Sequence, residues 1–134
     1  MKFLQPEGWP APTGYANGVL ASGSILVTGG IVGWNPAGEF ESDDFVAQTR
    51  QALANIVTVL ESGGARPEHL VRLTWYITDR KAYLEKLKEV GRAYRETIGR
   101  HFPAMAMVEV SALMNDRAKV EIEAMAVVPE SARP

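Results

Sequence analysis

The chain contains no cysteine. Disulfides, thiolate nucleophiles and cysteine-ligated zinc or iron–sulfur centres are therefore excluded. Its two histidines, His69 and His101, stand far apart with no carboxylate at metal-ligand spacing, so no metal site is expected. Charge of one sign is lacking too: 14 Lys and Arg against 16 Asp and Glu give −2, no basis for expecting nucleic acid or an anionic membrane as partner. No apolar run approaches the ~20 residues that span a bilayer, and Pro6, Glu7 and Gly8 interrupt the amino-terminal segment before a signal-like stretch develops. A cytoplasmic protein is expected, folded as one domain over 1–134. Gly29-Gly30-Ile31-Val32-Gly33 lacks the lysine and hydroxyl of a phosphate loop, and no serine lies in a nucleophile-elbow pattern.

What is present reads as alternating strands and helices. Residues 5–18 hold Pro6, Gly8, Pro10, Pro12, Gly14 and Gly18, which permit only extended or turn structure, and Trp9 and Tyr15 mark the segment as an ordered loop. Val19–Ser22 and Ser24–Thr28 flank Gly23 and predict a tight hairpin, with Gly29-Gly30 weakening or bulging the second strand. Ile31 to Phe40 reads as a loop in which Trp34 is either a lid or a packed tip. Ser42 or Asp43 would cap a helix whose stripe Val46, Leu53, Ile56, Val57 and Leu60 ends at Gly63-Gly64.

Beyond that helix, Val71, Leu73, Trp75 and Ile77 alternate on a strand. A second helix is predicted from about Asp79 to Ile98, with Leu84, Leu87, Val90, Tyr94 and Ile98 inward and Lys81, Glu85, Lys88, Glu89, Arg92 and Arg95 on a solvated face. Two last strands follow, Phe102–Val110 and Ala118–Val128. On the latter a period of two sends Glu121 and Glu123 to one face and Val120, Ile122, Ala124 and Ala126 to the other; on the former it puts Met105 and Met107 together, opposite Ala104, Ala106 and Val108. The economical architecture is an α+β two-layer sandwich, a mixed sheet with both helices on one face. The apolar residues left on the other face predict association with further copies of the chain.

Tyr15 within Gly14–Gly18, the strand end Thr28-Gly29-Gly30, the helical Gln48–Ile56, Phe102-Pro103-Ala104 and Val120–Ala124 together resemble the Rid family, the YjgF-like reactive intermediate deaminases. The resemblance spans about Tyr15 to Val128. It implies a chorismate-mutase-like fold, a homotrimer around a central barrel with sites between subunits, and hydrolysis of a reactive imine or enamine to a carbonyl and ammonia, with no cofactor. It also implies that Glu121 positions the water and that Tyr15 lines the site, both as catalytic residues.

In other respects the chain departs from the pattern. The family's carboxylate-binding arginine falls at Met105, a frequent serine at Gly29, and a helical asparagine at Lys88. Substrate binding is accordingly assigned to Met105, Met107, Lys88, Gly29, Gly30 and Trp34, with Lys88, Arg92 and Arg117 as replacement cations. Methionine adapts to irregular shapes, so Met105 and Met107 read either as a wider pocket floor, suited to a 2-aminomuconate-like enamine, or as core filler. Glu121 has its own alternative in an ion pair with Lys119, and Tyr15 in simple packing. A non-catalytic trimeric protein that binds a small molecule in the family cleft is the second functional reading.

Overall fold

The computed structural model describes residues 1–132. Strand β1 (Lys2–Leu4) pairs antiparallel with β2 (Gly18–Leu20) as a separate two-stranded ribbon. β3 (Ser24–Val27), β4 (Ile31–Val32), β5 (Leu70–Ile77), β6 (Ala104–Glu109) and β7 (Val120–Val128) form a mixed sheet in the order β3-β7-β5-β6, with β4 beside β3 on the same edge of β7. Only β5 and β6 run parallel. Helices α1 (Phe45–Ser62), α2 (Arg80–Glu85) and α3 (Leu87–Thr97) complete the α+β fold. None of the described helices is long and apolar enough to cross a membrane.

Periodicity places the core where the alternation predicts except at Val71: a register shift between Leu70 and Arg72 buries Leu70 and leaves Val71 half-buried. Leu73, Trp75 and Ile77 of β5 and Val120, Ile122, Ala124 and Ala126 of β7 are buried against Leu53, Ile56 and Leu60 of α1 and Val90 and Tyr94 of α3. The opposite sheet face lacks such a layer. Ile25 and Val27 there are 69% and 64% exposed, beside Glu121 and Glu123.

Buried Gln48 ties α1 to the start of β7: its Nε2 donates to the carbonyls of Ser42 and Arg117, each at 3.0 Å, and its Oε1 accepts from Lys119 N at 2.8 Å. Both amide protons and the amide oxygen are thus bonded, as burial of an amide requires. Asn55 Nδ2, about two turns on, donates to the carbonyls of Val32 and Trp34 at 3.0 and 2.8 Å and fixes β4. A Cβ at Gly33 would meet the Gln48 carbonyl oxygen at 2.3 Å, so only glycine lets the chain pass this close to the helix.

Several expectations are corrected. The hairpin across Gly23 does not form: β2 pairs with β1 and β3 with β7. Gly23 sits at φ +149, where a Cβ would come 2.1 Å from the Val128 carbonyl oxygen, so it brings β3 against the end of β7 rather than turning one strand onto the next. The N-cap of α1 is Asp44, whose side chain accepts from Ala47 N, while Ser42 Oγ accepts from Asp44 N just outside the helix, and the first turn carries no acid. The predicted second helix is broken at Lys86 (φ −117, ψ 24), and Leu84 and Leu87 are about half exposed instead of buried. The loop of residues 5–17 is ordered, but by Gln5 Nε2 donating to the Trp9 and Pro10 carbonyls and Asn17 Nδ2 donating to Gln5 Oε1; Trp9 itself stays 59% exposed.

Candidate functional site

On the helix side of β6, the edge strand, lies a cleft of about 650 Å³. Such a volume suits a small molecule. Parallel register sets Met105 opposite Leu73 and Met107 opposite Trp75, so both methionines face the helices and floor the cleft, as their shared face predicts. They are also partly buried against the core, so the pocket-floor and core-filler readings describe the same side chains. Tyr83, Leu87 and Val90 wall the helix side, and Tyr94 stacks on Phe102 at 5.4 Å and on Trp75 at 6.5 Å between ring centroids.

The mouth is set by backbone pairing. Ala16 N donates to the Pro103 carbonyl at 3.0 Å and Ala16 bridges to Ala104, which delivers Thr13, Gly14 and the 44% exposed Tyr15 to the cleft. Phe102-Pro103-Ala104 therefore matters as the place where loop and edge strand meet.

Two phenols of the cleft are held neutral. Burial pushes the Tyr83 and Tyr94 hydroxyls above the ordinary value of 10.0, since a desolvated phenolate is disfavoured. Tyr94 spends its proton on the His101 carbonyl, while the buried Trp75 indole N–H finds no acceptor among the described residues.

Glu121 occupies the other face of the sheet, paired in register with Val32 of β4 and Tyr76 of β5. A Cβ at Gly30 would lie 2.2 Å from Glu121 Oε2, so the carboxylate rests on the bare Gly30 backbone. Thr28 holds the start of this glycine segment: its N donates to the Ala124 carbonyl and its Oγ1 accepts from Ala124 N, both at 2.9 Å. Glu121 makes no hydrogen bond or ion pair among the described residues, so the alternative pairing with Lys119 is not formed within the chain. Glu123 is different, accepting from the Tyr76 hydroxyl at 2.8 Å; that bond and its charge raise the Tyr76 pKa.

The candidate residues thus fall into two groups. Tyr15, Met105 and Met107 gather in the cleft, and Gly29, Gly30 and Glu121 gather on the open face. Lys88 is exposed on α3 and Trp34 leans on Phe40 at 6.2 Å; neither lines the cleft. Of the replacement cations, Arg117 is committed to Asp43 at 3.0 Å and lies over the Phe40 ring, and Arg92 is exposed away from the cleft. The cation that does line the cleft is Arg95, exposed on α3 as its solvated face predicts. A signal for it existed: Gly91, a glycine inside a helix, precedes Arg95 by one helical turn.

The family model described as Endoribonuclease L-PSP matches residues 8–128. A RutC family protein of Pasteurella multocida is 32% identical over 126 residues, covering 94% of this chain and 97% of the relative. A 2-iminobutanoate/2-iminopropanoate deaminase of Salmonella typhimurium is 34% identical over 130 residues, covering 94% and 97%. Among solved structures, the Rid-family protein YyfB of Yersinia pestis, of unknown function, superposes with a TM-score of 0.83 at 31% identity, covering 95% of this chain and 98% of the other.

Proposed function

The chain belongs to the YjgF/Rid family, that of the Endoribonuclease L-PSP model, and from that premise we propose that it is a cofactor-independent hydrolytic deaminase of a reactive imine or enamine. The observation that carries the reading is the unpartnered Glu121 carboxylate on the Gly30 backbone, in a chain 34% identical to a relative named as a 2-imino acid deaminase.

The chemistry asks little of the protein. Water adds to the imine carbon as Glu121 accepts one of its protons and passes it to nitrogen; Glu121 then takes the hydroxyl proton of the resulting carbinolamine and delivers it to nitrogen as the C=O bond forms, the C–N bond breaks and ammonia leaves. A carboxylate in hydrogen-bond reach serves as such a base, and the Tyr15 hydroxyl, at the cleft mouth, holds the nitrogen. Within one chain the cleft and Glu121 lie on opposite faces of the sheet. A site using both is completed by a neighbouring copy, which fits a cytoplasmic homotrimer packed through the open face with Ile25 and Val27 inside. An extended enamine such as 2-aminomuconate is the alternative to a short 2-imino acid: the volume of about 650 Å³ and the methionine floor accommodate its chain, while Arg95 offers a cation to only one of its two carboxylates.

Incubation with freshly generated 2-imino acids and 2-aminomuconate tests the reading. Ammonia release should exceed the buffer rate and fall by roughly 10²–10⁴ in Glu121→Gln. No acceleration with any of these substrates overturns it.

Met105 favours a second reading, a binding protein that keeps the cleft without turnover; in that case Glu121→Gln changes neither ligand affinity nor any rate. Ribonuclease chemistry finds no support at the histidines. His69 Nδ1 accepts from Arg66 N and His101 Nε2 donates to the Leu70 carbonyl, so each ring is bound to backbone.

A further inference from the structure

Arg95 is the one charged residue among those lining the cleft. Three other arginines, Arg50, Arg66 and Arg117, are paired with Glu96, Glu68 and Asp43, whereas Arg95 has no acidic partner among the described residues. A Cβ at Gly91 would come within 3.1 Å of Arg95 Nη1 and 4.0 Å of Cζ. The guanidinium is therefore folded back along α3 over the space that a side chain at 91 would fill.

Gly91 has no conformational reason to be glycine, because its φ lies outside the left-handed region that Gly99 and Gly64 adopt. Glycine inside a helix weakens it. What glycine provides here is room for the Arg95 fork. Placement in the last turn of α3 gives the exposed Arg95 a favourable contact with the helix dipole, but that contact needs no glycine one turn before it.

We propose that Arg95 anchors the substrate carboxylate, in place of a cation at position 105, and that the substrate is a monocarboxylate carrying a large apolar group, preferably aromatic. The planar fork matches a carboxylate, and a bidentate pair fixes its orientation. From that anchor the ligand body meets Met105, Met107 and the Trp75–Tyr94–Phe102 stack, surfaces that favour an aromatic ring. A short imino acid leaves most of this wall uncovered. A dicarboxylate of the muconate kind brings a second charge to a cleft with one cation, so the structure favours the monocarboxylate. For the reacting group the proposal rests on the deaminase reading: an aryl-substituted 2-imino acid takes up water and yields the 2-keto acid and ammonia, with no oxidant or reductant.

Calorimetry on the full chain with 3-phenylpropanoate, which contains no C=N bond, separates the anchor from the reaction. The wild type should bind it about tenfold or more tighter than propanoate or the neutral 3-phenylpropanamide. Arg95→Gln should lose about ten- to a hundredfold in affinity and Arg95→Lys less. Gly91→Ala, with an unchanged circular dichroism spectrum, should bind several-fold more weakly, and Arg92→Gln, which removes the same charge from the same helix, should bind like wild type. Equal affinity in Arg95→Gln, equal binding of the amide, or an equal loss in Arg92→Gln overturns the anchor. Arg95-dependent binding without deamination of any imine leaves the anchor standing and removes the deaminase; deamination with Arg95-independent binding does the reverse.

Discussion

On the helix side of the sheet, Met105 and Met107 meet Trp75 and the Tyr94–Phe102 stack, and only Arg95 brings charge to the cleft. On the open side Glu121 and Glu123 stand two residues apart beside Tyr76, one carboxylate bonded and the other unpaired. The two regions differ in what they offer. One has an apolar cleft and a guanidinium but no carboxylate; the other has an unpaired carboxylate outside that cleft. Adjacent residues of one strand reach opposite faces, so a single β7 serves the core with Ile122 and the open face with Glu121.

The separation is broken most directly at Glu121. Glu121→Gln should cost roughly 10²–10⁴ in kcat while leaving the affinity for 3-phenylpropanoate unchanged; matching losses in both would show that the two regions do not divide the work. Gly30→Ala comes next. The added methyl would displace the Glu121 carboxylate from its resting place, and turnover should drop by about ten- to a hundredfold, with thermal unfolding showing a stability change of no more than about 1 kcal/mol.

Met105→Arg acts on the recognition side alone. A cation rising from the floor of the cleft should shift the ratio of kcat/KM for small against aryl imino acids about tenfold toward the small ones, read by steady-state kinetics on both substrates. The smallest effect expected is one of pH. Tyr94 is raised above its ordinary value of 10.0 in the folded chain by burial, so the folded state holds its proton where the unfolded state releases it. The stability contributed by this neutral phenol is whole below pH 10 and declines as pH rises through the folded value. Equilibrium unfolding should therefore show stability falling above pH 10, and falling less steeply in Tyr94→Phe, which at neutral pH loses about 1 kcal/mol with the bond to the His101 carbonyl.

Much of the candidate site could be read from the sequence because it depends on local periodicity and on short motifs. The placement of Met105 and Met107 on one face, and of Glu121 apart from Ile122, follows from alternation alone. Arg95 is exposed, as its charged helix face predicts, and only the tertiary structure sets its guanidinium over Gly91 beside the cleft. The break at Lys86 carries no proline or glycine to announce it, and with it Leu87 passed from presumed core to cleft wall.

By itself the sequence determined the strand faces of β7 and of β5 from Leu73 to Ile77, the buried stripe of α1 and its stop at Gly63-Gly64, since each is set by neighbours within a few residues along the chain. Tertiary structure alone decided that β2 pairs with Lys2–Leu4, that Gly23 leads β3 to β7, and that Glu121 and the cleft occupy opposite faces. Those outcomes depend on which distant segments meet, a matter of backbone hydrogen bonds and packing that no local pattern encodes.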